Sequence, residues 1–272
     1  MKHLSVHNRG ADLAVYVSGS PAQPPLLLLS SLGADRRMWD ANMELFSRAH
    51  RVVTFDTRGH GNSGATPAPY DLELLLSDVV AVLDSLSIDR TDVVGLSLGG
   101  ALAVGLALAE PSRVERLVVC DAQIQSTEEY RSGWDQRIAA VKDGGLAAIA
   151  DGTLSRWFTP DCQDEIRDRA RDMLLTTTID GYAGCANCLK QLDYLASLGQ
   201  ISAPVLYVRG EDDVAAPASV MEEMNRCTPN SELRIVKNAA HIPNMENPDG
   251  FADAVEGWLA KSPKASGVGA PS

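Results

Sequence analysis

Two β-branched residues, Val93-Val94, run straight into Gly95-Leu96-Ser97-Leu98-Gly99-Gly100, and an Ala/Leu-rich stretch, residues 101–110, follows at once. No other part of the chain prescribes a local shape so firmly. Thr91 to Val94 reads as a buried strand and the Ala/Leu stretch as a helix, so the Gly-x-Ser-x-Gly segment must turn the chain between them. A turn that tight forces strained dihedrals on its serine, and side chains at the flanking glycine positions would strike the strand and the helix. It also sets the Leu98 N–H at a helix N-terminus, where developing negative charge is stabilised. The alternative is a glycine-rich turn that merely carries a serine.

A serine hydroxyl is a weak nucleophile without a base, and the base needs an orienting acid. Downstream, Pro204-Val205-Leu206-Tyr207-Val208-Arg209-Gly210-Glu211-Asp212-Asp213 reads as an apolar strand ending in glycine and acids. A carboxylate just beyond a strand's carboxyl end lies where open α/β sheets build their sites. Asp213 is the acid candidate, with Asp212 its neighbour, and Asp121, after the strand at residues 117–120, as the second choice. The base candidate is His241, after a strand at residues 233–236. His3, His7, His50 and His60 fall outside the order Ser, Asp, His.

These segments carry a resemblance. With Leu29-Ser30-Ser31-Leu32-Gly33-Ala34-Asp35, Met38-Trp39, Phe55 to Ser63, Arg156-Trp157-Phe158-Thr159-Pro160 and Ala240 to Glu246, the chain resembles the α/β-hydrolases. Within them it is similar to the 3-oxoadipate enol-lactonase branch, over nearly its whole length. The resemblance implies an α/β-hydrolase fold: a mostly parallel central sheet flanked by helices, with a helical cap insertion. It implies a Ser97–His241–Asp213 triad, with Leu32 and Leu98 N–H groups as the oxyanion hole. It implies hydrolysis of a lactone or ester, with 3-oxoadipate enol-lactone and aromatic catabolism foremost, and with no metal or organic cofactor. The lactonases usually read Ser-Asn-Ser-Leu-Gly in this loop, whose Asn this chain lacks at Ser30, and they usually have an Asn at Asp121. Trp134 and Trp157 are candidate pocket walls or packing residues. Arg131, Arg137 and Arg58 are candidate anchors for a substrate carboxylate, although the loop holding Arg58 recurs across the family whatever the substrate. Other readings are a different esterase or lactonase, a cofactor-free oxygenase, and a non-catalytic receptor.

Strand and helix patterns alternate along the chain as in a mostly parallel sheet. Residues 3–6 and 14–17 read as an antiparallel edge hairpin. Residues 71–87 read as an amphipathic helix with Leu72, Leu75, Leu76, Val79, Leu83 and Leu86 on one face. Between residues 124 and 198 strand signals vanish, which gives an expected division into core (1–123 and 199–261), helical cap (124–198) and a disordered Ser/Gly/Pro/Ala-rich tail (262–272).

A net charge of −12 argues against nucleic acid and anionic membrane as partners. It also means that an anionic substrate needs a local cation. No run approaches the ~18–20 apolar residues of a membrane span, and the N-terminus lacks the apolar core of a signal peptide, so the cytoplasm is the default expectation. Five cysteines without paired spacing suggest neither a disulfide framework nor a zinc site, and Cys185 and Cys188 read as small packing residues. Oligomeric state is not encoded in these patterns.

Overall fold

Arg9 and Gly10, both at positive φ, turn strand β1 (Lys2–Asn8) back onto β2 (Ala11–Ser18) as an antiparallel hairpin. The computed structural model describes residues 1–260. The hairpin leads into β3 (Pro25–Leu29), β4 (Arg51–Phe55), β5 (Thr91–Leu96), β6 (Val114–Cys120), β7 (Val205–Gly210) and β8 (Ser231–Val236). All eight form one sheet in the order β1-β2-β4-β3-β5-β6-β7-β8. From β4 to β8 every neighbouring pair is parallel, and β2 joins β4 antiparallel.

The run Leu26-Leu27-Leu28-Leu29 shows why the strands are apolar throughout. Leu27 and Leu29 pack into one core, and Leu26 and Leu28 into the core on the opposite face. A sheet covered on both faces needs apolar side chains at both phases of the strand repeat. The helices outside the insertion are α1 (Asp40–Ala49), α2 (Leu72–Ser85), α3 (Leu98–Ala109), α8 (Ala218–Cys227), the single-turn α9 (Pro243–Glu246) and α10 (Pro248–Leu259). Leu75 and Val79 of α2, Leu102 of α3 and Met221 of α8 join the first core. Phe46 of α1 and Phe251 and Trp258 of α10 join the second.

Asp71 caps α2 by accepting the Leu74 N–H at 2.7 Å. Leu75, Val79 and Leu83 are buried as the periodicity predicts, together with Val82 and Asp78. Asp78 is inside because its carboxylate grips Arg58.

Between β6 and β7 lie α4 (Glu128–Gly144), α5 (Ala150–Trp157), α6 (Asp164–Thr176) and α7 (Ile179–Leu189). The two ends of this insertion are drawn together by an antiparallel bridge, Gln125 to Asp193. Ser126 N–H donates to the Leu192 carbonyl at 2.8 Å and Tyr194 N–H to the Ile124 carbonyl at 2.9 Å. Ile138, Val141 and Leu189 continue the first core, and Leu154, Trp157 and Met173 the second, so the helices share the apolar interior of the sheet. No helix among the described residues is long and apolar enough to cross a membrane. The expectation for residues 262–272 lies outside the described residues, as does position 261.

Candidate active site

Ser97 follows β5 directly, at φ 56° and ψ −114°, and α3 begins at the next residue. A Cβ on Gly95 would stand 2.1 Å from the Gly99 carbonyl oxygen, and one on Gly99 would stand 2.1 Å from that of Leu29. Both contacts are impossible, so these two positions must be glycine for strand, turn and helix to coexist. As the first residue of α3, Leu98 has an N–H with no intrahelical acceptor.

Leu32 sits in the loop after β3 and lines the cavity above Ser97. That loop is held from behind. Gly33 N–H donates to His60 Nε2 at 3.0 Å, and His60 Nδ1 donates to the Arg58 carbonyl at 3.1 Å. Burial lowers the His60 pKa to about 4, against the opposing pull of the Arg58 carbonyl, so the ring is neutral and Nε2 is free to accept.

Ser97 Oγ lies 2.9 Å from His241 Nε2, and His241 Nδ1 lies 3.0 Å from Asp213 Oδ2. Asp213 also accepts the Ala215 N–H at 2.7 Å on Oδ1 and the Ala216 N–H at 3.2 Å on Oδ2. Burial alone would raise its pKa, but the His241 charge and hydrogen bond outweigh that and hold it below the usual carboxylate range. Asp212 is exposed. The Asp121 carboxyl contacts the Gly210 N–H at 2.9 Å and has no hydrogen bond to His241. The geometry pairs Asp213, of the acids considered, with the imidazole.

Glu246 was not singled out in the sequence, yet it steadies the histidine loop. Its Oε2 accepts the Ala240 N–H at 2.7 Å, and its Oε1 accepts the Thr159 N–H at 2.7 Å and hydroxyl at 2.6 Å. The loop bearing His241 is thereby tied to the segment just after α5.

Above Ser97 is a cavity of about 530 Å³, walled by Trp134 and Trp157 among others. Tyr130, Trp134 and Arg137 recur at helical spacing on α4 and all face it. The Arg137 guanidinium lies over the Trp134 ring, 4.6 Å from its centroid. Two of the expected carboxylate anchors lie elsewhere. Arg131, about 100° round the helix from Tyr130, is absent from the cavity wall, and its Nη1 donates to the Ser126 carbonyl at 2.6 Å. Arg58 is fully buried against Asp78, with guanidinium–carboxylate contacts of 2.6 and 2.8 Å. Arg156, which the sequence reading did not name as an anchor, does line the cavity; burial and the neighbouring Arg137 charge lower its pKa. Its signal was present: Thr153, Arg156 and Trp157 share one face of α5. Among the described residues neither Arg137 nor Arg156 forms an ion pair, and no cluster of His, Cys, Asp and Glu is arranged to hold a metal.

The family profile described as the alpha/beta hydrolase fold matches residues 24–248. The chain is an α/β-hydrolase. Its sequence is 32% identical over 246 residues to 3-oxoadipate enol-lactonase 2 of Acinetobacter baylyi, covering 89% of this chain and 91% of the relative. The crystal structure of the enol-lactonase from Burkholderia xenovorans superposes with a TM-score of 0.89 at 31% identity, covering 96% of this α/β-hydrolase and all of that chain (100%). A protein of Agrobacterium fabrum named as a carbamate hydrolase is 28% identical over 258 residues, 92% of this chain and 94% of its own length. The chain is therefore a hydrolase-family protein similar to enol-lactonases and, more distantly, to carbamate hydrolases.

Proposed function

We propose that this α/β-hydrolase opens a carboxylate-bearing lactone of the 3-oxoadipate enol-lactone kind by acyl transfer through Ser97. One observation carries the reading. The Ser97–His241–Asp213 hydrogen-bonded series lies beneath a cavity whose lining includes Glu129 and two arginines, Arg137 and Arg156, that form no ion pair among the described residues. A chain of net charge −12 repels anions at long range, and an unpaired buried carboxylate is costly, so cations without an ion pair beside a nucleophile fit an anionic substrate. Enol-lactonases among its relatives support the same class. Residues 124–198 act as the cap, with Trp134 and Trp157 as walls.

In this mechanism His241 Nε2 takes the Ser97 proton as Oγ attacks the lactone carbonyl. The Leu32 and Leu98 N–H groups receive the developing oxyanion. Collapse breaks the ring C–O bond. The leaving enolate, tethered to the acyl group, takes the proton held on His241 Nε2, which returns the imidazole to its neutral form, and the resulting enol tautomerises to the ketone. Water, deprotonated by His241, then hydrolyses the acyl-enzyme and restores Ser97. The product from the enol-lactone is 3-oxoadipate, which suits aromatic-compound catabolism.

The test follows ultraviolet loss of enol-lactone beside neutral esters, neutral lactones and a carbamate. Ser97→Ala is expected to lower kcat by about 10⁴–10⁶ with the fold intact, leaving only binding and the oxyanion hole. A folded Ser97→Ala protein that keeps more than about a tenth of the rate overturns the acyl-enzyme mechanism. Faster turnover of the carbamate or of neutral esters than of the enol-lactone overturns the substrate and leaves the triad standing.

A further inference from the structure

Asp121 is the first residue beyond β6, at φ 44°, and its side chain is completely buried. Its N–H donates to the Val208 carbonyl at 3.0 Å, and its Oδ1 accepts the Gly210 N–H at 2.9 Å. Oδ2 has no donor among the described residues. Gly210 ties Asp121 to Asp213: the Gly210 N–H donates to Asp121, the Gly210 carbonyl accepts the Asp213 N–H at 3.3 Å, and the two carboxyls come into hydrogen-bond contact. Two carboxylates side by side cannot both be ionised, and a pair of acceptors in contact implies a proton between them.

The surroundings decide which of the two holds it. Asp213 receives two backbone N–H groups and the His241 ring, all of which favour its anion. Asp121 receives one N–H and sees no solvent. The remaining groups near it do not reverse this. Cys120, on the same strand, is a buried thiol pushed towards its neutral form by that burial. Arg209 of β7 bears a charge that pulls the other way, but its Nη2 donates to the Glu211 carbonyl at 2.8 Å and its pull is weaker than the effect of burial. Burial first, and the Asp213 charge second, push the Asp121 pKa well above the usual carboxylate range, while that of Asp213 is lowered.

We propose that Asp121 is held as a neutral carboxylic acid whose Oδ2–H donates to the Asp213 carboxylate, making it a positioning residue for the acid that orients His241. The inference rests on the reading of Ser97, His241 and Asp213 as a catalytic series. The donated proton fixes the Asp213 rotamer and spreads its charge, so that less negative charge faces the imidazolium that forms as Ser97 attacks. An ionised Asp121 would act in the opposite sense, placing a second negative charge beside the pair.

The experiment uses the full chain labelled with ¹³C-aspartate. At neutral pH its infrared spectrum is expected to contain an isotope-shifted C=O stretch of a protonated carboxylic acid that disappears in Asp121→Asn. The band is expected to survive in Asp56→Asn, which removes the other buried aspartate whose pKa burial raises. In kinetics, Asp121→Asn keeps an N–H donor and is expected to hold kcat/KM within about threefold of wild type, with the acidic limb of the pH profile unmoved. Asp121→Ala removes the donor, and is expected to cost about tenfold or more and to shift that limb upward. No Asp121-dependent band, or an Asp121→Ala profile superimposable on that of Asp121→Asn, overturns the proposal. Should Asp121→Ala fail to fold, the infrared comparison with Asp121→Asn still decides. Labelling of Ser97 by a fluorophosphonate gives the same pH limbs without any substrate. A wrong substrate therefore leaves this test intact, and an unlabelled Ser97 overturns the hydrolase reading while the band still reports on Asp121.

Discussion

His60 shows how one side chain can hold a cavity-lining loop from behind. Its neutral ring accepts the Gly33 N–H, one residue past the Leu32 N–H proposed to bind the oxyanion. Protonation would set an N–H against an N–H and push the loop away. The native pKa of about 4 lies below the ordinary 6.5, so the unfolded chain takes up this proton first as pH falls. The contribution to stability is complete above pH 6.5 and is lost as pH falls towards about 4, by up to about 3 kcal/mol. Urea unfolding midpoints are expected to drop more steeply over this window in the wild type than in His60→Gln, whose amide does not titrate. Parallel slopes for the two proteins would show that His60 plays no such part.

At the scale of the element, α4 presents a cavity-facing stripe and an ordinary solvated face. Tyr130, Trp134 and Arg137 share the stripe, while Arg131 bonds back to the Ser126 carbonyl on the flank. Burial raises the Tyr130 and Tyr182 hydroxyls to about 12, so both rings stay neutral beside the arginines. Arg137→Ala is expected to raise KM for the carboxylate lactone about 10- to 100-fold through a lost charged hydrogen bond, with kcat little changed. Arg131→Ala is expected to change KM by less than about twofold, because it makes no contact with the cavity. Steady-state kinetics on the lactone and on a neutral ester check both, and equal effects from the two variants would refute the stripe.

Over the whole molecule, Arg58 and Asp78 act as an internal tie. The guanidinium bonds Asp78 on α2, the Thr66 hydroxyl at 3.0 Å, and the Asn8 carbonyl at the end of β1 at 3.3 Å. It thereby joins the edge hairpin, the loop after β4 and a core-covering helix. The same loop meets the insertion, where Thr178 N–H donates to the Gly59 carbonyl at 2.9 Å. Arg58→Ala leaves Asp78 buried without its partner and is expected to destabilise the fold by about 3–5 kcal/mol. Denaturant unfolding measures that loss, and KM of the protein that remains folded is expected to be unchanged. A large KM effect with undiminished stability would return Arg58 to the role of substrate anchor.

The order of elements and the serine elbow were legible in the sequence because both are local. Strand and helix periodicities lie within a few residues, and Gly95 is dictated by contact between a strand and the helix that directly follows it, whereas Gly99 answers to Leu29 of β3, brought alongside by the sheet. Ser97, Asp213 and His241 could be named from their places after β5, β7 and β8, since a parallel sheet gathers its strand ends on one edge. Side-chain direction was not legible. Arg58, Arg131, Arg137 and Arg156 are the same residue type in similarly polar sequence, and only packing separates a buried tie and a flank residue from two that face the cavity. The choice between Asp121 and Asp213 was likewise left to tertiary structure. Both aspartates follow parallel strands, and it is the loop carrying Asp213 that reaches the His241 ring, while Asp121 remains beneath it with a single backbone donor. Sequence determines what lies within a turn or two along the chain; contacts between residues far apart in it, and the burial that sets their charge, exist only once the sheet has brought its ends together.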